Sequence, residues 1–251
     1  MNINFKKAVA SALVACTCMC FASCGKSGDK YVIYSDNSFA PFEYLDTKTN
    51  EYVGVDMDIL AAVAKDQGFE YEVKNEGFDP AMGAVQSGQG DGMIAGMTIN
   101  DERKKTFDFS DGYFEDGQIM VVAKASAIKS VDELKGKTVA AKAGTMGTEF
   151  AQKNAEKYGY EVVIYEDSPT MYTAIENGTN DACFEDRSVV EWAIKKESLK
   201  LKTVGDVIDP SQYGFAVKKG ENKELVEKFN AGLANIKKSG KYDKILAKYG
   251  Y

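Results

Sequence analysis

Histidine is absent from all 251 residues, and with it go the commonest metal ligand and the commonest general base near neutral pH. Cysteine is scarce and unevenly placed: Cys16, Cys18, Cys20 and Cys24 crowd the start, and Cys183 stands alone beyond them. No disulfide framework follows from that pattern, a zinc site finds too few ligands, and no cofactor is implied. After residue 22 no apolar run approaches the length of a membrane span. Basic residues are outnumbered, 31 against 38 acidic. An acidic chain of this kind is a poor match for nucleic acid, which selects basic faces. Internal repeats and low-complexity tracts are missing as well.

What is present begins with a secretory signal. Lys6 and Lys7 form a basic start, and the apolar run AVASALVACTCMCFA follows at once. The run ends at Phe21, Ala22, Ser23 and Cys24 and switches to the small polar stretch GKSGDK. This junction resembles the lipobox at which bacterial prolipoproteins are cleaved and the new N-terminal cysteine is lipidated, although Phe21 replaces the usual leucine. Leu13, Val14, Ala15 and Cys16 fit the box better but leave too short an apolar region after Lys7. Residues 1–23 are therefore expected to be the signal, Cys24 the lipidated residue and 24–29 a tether. Losing Lys6 and Lys7 leaves 29 basic residues against 38 acidic, a mature charge near −9.

The remaining length can hold one large or two small domains with real cores. Strand and helix patterns alternate along it, which predicts an α/β sheet. Strands are expected at 31–35, at 69–73, around 93–95, at 112–124, 138–141, 161–165, 201–204 and 212–220. Helices are expected between them, with Asp56 capping one that Gly68 closes. Ser130 and Glu133 read as a capping box, and Ser168 as a cap with Pro169 in the first turn. Two amphipathic helices, 222–239 and 241–248, finish the chain.

The stretch 93–110, MIAGMTINDERKKTFDFS, is the most informative. A buried strand stops at Gly96, where backbone can approach a ligand closely, and Thr98, Asp101 and Arg103 follow. A zwitterion taken out of water needs both charges paired at once. The Gly96 carbonyl and Thr98 hydroxyl suit an ammonium, and the planar fork of Arg103 suits a carboxylate. Taken alone, Arg103 reads more simply as part of a solvated charge run with Glu102, Lys104 and Lys105. Gly144, Thr145, Met146 and Gly147 open a helix whose free N–H groups form a weak anion site. Phe39 and Phe78 are by default core residues, as are Phe42, Tyr44 and Trp192.

AGMTINDERKKTFDFSDGYF resembles the core signature of the family 3 solute-binding proteins, the extracytoplasmic amino-acid receptors of ABC importers. The resemblance implies a two-lobed periplasmic-binding-protein fold of type II with two crossover strands. One lobe would be 30–113 plus 214–251 and the other 114–213, with hinges near 113–117 and 211–213. It implies a ligand site built from Phe39, Phe78, Gly96, Met97, Thr98, Arg103, Thr145, Met146, Gly147 and Asp186, the last as partner of the ligand ammonium. Glu185 has no assigned role. The implied partners are an L-amino acid, an ABC permease and the membrane through the lipid, for a chain acting as a monomer outside the cytoplasm.

Asp36 and Lys142 fall, on the same resemblance, at the far end of the cleft. Together they suit an amide side chain, whose NH₂ would donate to Asp36 and whose carbonyl would accept from Lys142. Glutamine is the expected ligand, with arginine, histidine or lysine as the rival group. A simpler account has the two residues pairing with each other while specificity lies elsewhere. An enzyme on the same scaffold, such as a cyclohexadienyl dehydratase, is the alternative function, and an assay for phenylpyruvate formed from prephenate separates the two. A sensor input domain, the third alternative, would need a membrane span and an output module.

Overall fold

A computed structural model describes residues 30–251, so the signal 1–23, the tether 24–29 and Cys24 lie outside the described residues. The chain opens with β1 (Tyr31–Asp36), a small antiparallel meander of β2 (Ser38–Phe39), β3 (Glu43–Asp46) and β4 (Glu51–Val53), then α1 (Val55–Gln67). β5 (Tyr71–Glu76), α2 (Phe78–Gln86), β6 (Gly92–Met93) and β7 (Phe107–Phe109) follow. β8 (Phe114–Ala123) carries the chain into a second sheet, continued by β9 (Thr138–Lys142), α3 (Met146–Tyr158), β10 (Glu161–Tyr165), α4 (Ser168–Glu176), β11 (Ala182–Asp186) and α5 (Arg187–Lys196). β12 (Leu201–Tyr213) leads back to β13 (Ala216–Lys218), α6 (Lys223–Lys238) and α7 (Lys241–Tyr249).

Two five-stranded sheets result, in the orders β5-β1-β6-β13-β7 and β10-β9-β11-β8-β12, each the centre of one lobe. β1 lies between two parallel neighbours and buries Ile33 and Tyr34, whereas the edge strand β5 alternates half-buried and exposed residues. Helices cover both faces. Ile33, Ile59, Phe215 and Phe229 pack on one side of the first sheet, and Tyr34, Met93 and Phe107 on the other. In the second lobe Val121, Ile175 and Cys183 face one layer, and Val122, Val139 and Phe184 the other. Between the lobes β8 and β12 run antiparallel, Phe114 opposite Tyr213 and Asp116 opposite Ser211, while Tyr213 also bridges to Thr98 of the first lobe. Phe42 fills this junction against the rings of Phe114 (4.9 Å) and Tyr213 (5.1 Å).

Several expected details differ, for identifiable reasons. α1 starts one residue before Asp56, with Gly54 at its cap. At φ 143° a Cβ there would sit 2.0 Å from the Phe42 carbonyl oxygen, so only glycine fits the close approach. Asp56 is thereby freed for a tertiary role. In α4 the cap is Asp167, whose Oδ1 accepts from the Thr170 N–H at 2.7 Å, and Ser168 turns inward instead. Ser130 makes no side-chain cap, and the residues after it form a single 3₁₀ turn, Val131–Leu134. Phe78, by default a core residue, is the first residue of α2 and comes to the cleft from there. The expected separate strands at 201–204 and 212–220 are replaced by one continuous β12 ending at Tyr213 and a short β13. Gly205 and Pro210 look like breakers, but β12 is an edge strand whose register shifts between Val204 and Ser211, a setting that tolerates proline. Tyr44 and Trp192 are half-buried and meet each other across the lobes at 5.6 Å.

Candidate ligand-binding cleft

The C-terminal ends of β1, β9 and β11 face one another across the junction of the two sheets, joined by the segment that leaves β6. Such strand ends are where open α/β sheets place ligands. A small cavity lies there, lined by Phe39, Phe78, Ala95, Gly96, Thr98 and Arg103 from the first lobe and by Lys142, Thr145, Met146 and Asp186 from the second. Its free space is about 10 Å³, room for roughly one water. Gly96 bends the chain at φ 53°, and a Cβ there would stand 2.5 Å from the Phe39 ring.

Arg103 is withdrawn from the charge run around it. Lys104 pairs with Asp101 and Lys105 with Glu102 at the surface, while Arg103 is 6% exposed. Its Nη1 donates to the Thr98 carbonyl and its Nη2, across the lobes, to the Gly144 carbonyl, both at 3.0 Å. The guanidinium lies over the Phe78 ring at 5.3 Å, and Glu149 stands 4.0 Å away. Burial depresses its pKa, opposed by Glu149 and Asp186. Two of its five N–H groups are engaged, which leaves a fork for a carboxylate beside the first turn of α3. Thr145 caps that helix, its Oγ1 accepting from the Thr148 N–H at 3.4 Å.

Asp186 is the opposite pole. Gln118 Nε2 donates to its Oδ1, and burial, Asp116 and Glu185 push its pKa well above the usual carboxylate range, opposed by Tyr213 and Arg103. Asp116 is itself held by the Ser188 hydroxyl and by Tyr213 Oη at 3.1 Å. A buried acid crowded by other acids gains most from an incoming ammonium. At the far end Lys142 Nζ is bonded to Asp36 Oδ2, joining β9 of one lobe to β1 of the other, and sits 4.9 Å from the centre of the Phe39 ring. The pair is almost fully buried, and Asp36 Oδ1 accepts from the Asn37 N–H at 2.7 Å.

Three expected residues stand apart from the cavity wall. Asp36 is bonded to Lys142 and does not itself line the cavity. The Met97 side chain is in the core with Met93 and Phe107, and only its carbonyl reaches outward, to the Gly214 N–H at 2.9 Å. Gly147 lets α3 settle on β11, where a Cβ would meet the Phe184 carbonyl oxygen at 2.3 Å. Ala95 carries no polar side chain, and Asp116 and Gln118 stand in a strand where no spacing singles them out.

Residues 31–251 match the model of the bacterial extracellular solute-binding proteins, family 3. The chain belongs to this family. Among family members and their relatives, one named "Probable histidine-binding protein", from Neisseria gonorrhoeae, is 34% identical over 98% of this chain and 96% of its own. The ABC transporter glutamine-binding protein GlnH of Bacillus subtilis is 33% identical over 89% of this chain and 82% of its own. Among solved structures, an ancestral arginine-binding protein bound to arginine is 38% identical, covers 88% of this chain and 98% of its own, and superposes with a TM-score of 0.82. The two-lobed, type II periplasmic-binding-protein fold expected for a family 3 member is the fold found.

Proposed function

We propose that this solute-binding protein captures an L-amino acid between its lobes and delivers it to an ABC permease, with glutamine the preferred ligand. The α-carboxylate lies on the Arg103 fork and the first turn of α3, the ammonium on Asp186 and Thr98, and the side chain between Phe39 and Phe78. A guanidinium at one pole of the cavity and a buried carboxyl group at the other support this reading, as do relatives named for histidine, glutamine and arginine. That these relatives are binding proteins favours a receptor over a dehydratase.

The choice of side chain rests on one observation, the buried ion pair of Lys142 with Asp36. In the closed cavity the two meet directly, so the lobes must part for a ligand to enter. An amide inserted between them keeps both partnered, its NH₂ on Asp36 and its carbonyl on Lys142. A guanidinium or ammonium there would leave Lys142 beside a like charge, and a carboxylate would face Asp36. Titration calorimetry against glutamine, arginine and histidine tests this, with glutamine expected to bind most tightly. Arginine bound tenfold more tightly, or a Lys142→Ala chain with unchanged glutamine affinity, would transfer the protein to the cationic rival group.

Lipid anchoring at Cys24, outside the cytoplasm, belongs to the same proposal and is supported by its place at the apolar-to-polar switch. Cys24→Ser is expected to release a soluble form or accumulate precursor in a membrane fractionation. If labelled fatty acid still enters Cys24→Ser and not Cys16→Ser, the anchor is Cys16.

A further inference from the structure

Lys142 has a second acidic neighbour. β11 runs parallel to β9 with Ala182 opposite Val139 and Cys183 opposite Ala140. Carried to the strand ends, that register sets Glu185 beside Lys142 on the same face of the sheet. Glu185 is 3% exposed and sits in a cradle of donors. Its Oε2 accepts from Ser168 Oγ at 2.8 Å and Tyr172 Oη at 3.0 Å, and its Oε1 from the Asp186 N–H at 3.0 Å. Burial raises the Glu185 pKa, opposed by the nearby Lys142 ammonium and by these three hydrogen bonds, which favour the charged form. Ser168 is available for this because Asp167 has taken over the cap of α4. The cradle is thus a built feature of the second lobe, complete without any contribution from the first.

We infer that Glu185 is the resident counter-ion of Lys142 and sets which side-chain charge the far end of the cleft accepts. This rests on the amino-acid reading above and adds a residue to it. Asp36 belongs to the other lobe, so Lys142 parts from it when the lobes open and when a ligand group comes between them. Glu185 stays on the neighbouring strand throughout, and Lys142 is never a buried cation without a partner. Because that charge is already matched, Lys142 can offer a hydrogen bond to a neutral carbonyl without drawing in a carboxylate. Asp36, once a ligand group has come between it and Lys142, accepts a donor and repels an anion. Glu185 therefore excludes acidic side chains by satisfying Lys142, the cation at the far end of the cleft that would otherwise recruit them.

The test is calorimetry on the full chain with glutamate as the anionic probe, set against whichever amino acid the wild type prefers. In Glu185→Gln the ratio of the two Kd values is expected to fall at least tenfold in favour of glutamate, and in Glu185→Gln with Lys142→Met it is expected to return towards the wild-type ratio. A ratio within threefold of wild type in a Glu185→Gln chain that melts cooperatively overturns the inference. So does a lowered ratio that persists once Lys142 is gone, because the effect would then not pass through the lysine. If Glu185→Gln does not fold, Tyr172→Phe removes one of the three donors and is expected to lower the same ratio two- to threefold, and no change there is equally decisive. A wild-type chain that takes up no amino acid refutes the amino-acid reading itself, whereas binding with an insensitive ratio refutes only the role of Glu185.

Discussion

An Arg103→Ala chain is expected to lose about two to three and a half powers of ten in affinity for every amino acid it binds, and to lose them evenly. Removing one partner of a buried ion pair costs roughly 3 to 5 kcal/mol, because the group left behind stays buried without its counter-charge. In the proposed complex that group is the ligand carboxylate, which all amino acids share, so side-chain preference should be untouched. Arg103 also donates across the lobes to the Gly144 carbonyl, and its loss weakens closure as well as contact. Arg103→Lys separates the two effects. It keeps the charge but has no planar fork to hold a carboxylate at two points, so an intermediate affinity is expected. Titration calorimetry with several amino acids reads both variants. A change below tenfold in Arg103→Ala would make the residue a structural cation that merely ties 98 to 144.

How much of this was legible beforehand depends on the distance over which each feature is determined. Arg103 and Thr98 share one short segment, and a motif there carries their chemistry directly. The α/β alternation was readable because strand and helix periods are local. Helix starts were not, since neighbouring residues compete to cap: Ser168 lost to Asp167, whose charge makes the stronger acceptor for a first-turn N–H, and Asp56 lost to Gly54. β12 was split in the reading because a glycine and a proline look like breaks until the strand is known to lie at an edge. The resemblance places Met97 in the site, yet its side chain turns into the core. Glu185 could not be assigned at all. Its importance comes from a register between two strands more than 40 residues apart and from a serine released by a cap that the sequence placed elsewhere.

A Glu43→Gln chain is expected to be as stable as wild type near pH 4.5 and more stable at pH 7.5, against the usual direction for a buried substitution. Glu43, on β3, has no exposed surface, and neither of its carboxylate oxygens finds a hydrogen-bond partner among the described residues. Asp56 Oδ1 is in the same position, although Asp56 Oδ2 accepts from the Gly96 N–H at 2.8 Å and from Tyr113 Oη at 2.7 Å. A proton on Glu43, donated to Asp56, resolves both. Burial, Asp56 and Asp36 push the pKa of Glu43 well above its usual value against the opposing pull of Lys142, and burial lifts Asp56 to about 6. Below the ordinary carboxyl range the folded and unfolded chains are both protonated, and this stabilising contribution is fully present. As pH rises the unfolded chain releases the Glu43 proton while the folded chain keeps it. Stability then falls by about 1.4 kcal/mol per pH unit until the raised folded value is passed. Glutamine has no proton to lose, and its NH₂ can donate to Asp56 from the same place. Urea denaturation at the two pH values measures the difference: a gain in stability at pH 7.5 and none near pH 4.5 is expected, because the folded chain keeps a proton that the unfolded chain has released. A variant less stable than wild type at pH 7.5 would mean that Glu43 is ionised in the folded protein. The two acids behind Gly96 would then be held apart by something other than a shared proton.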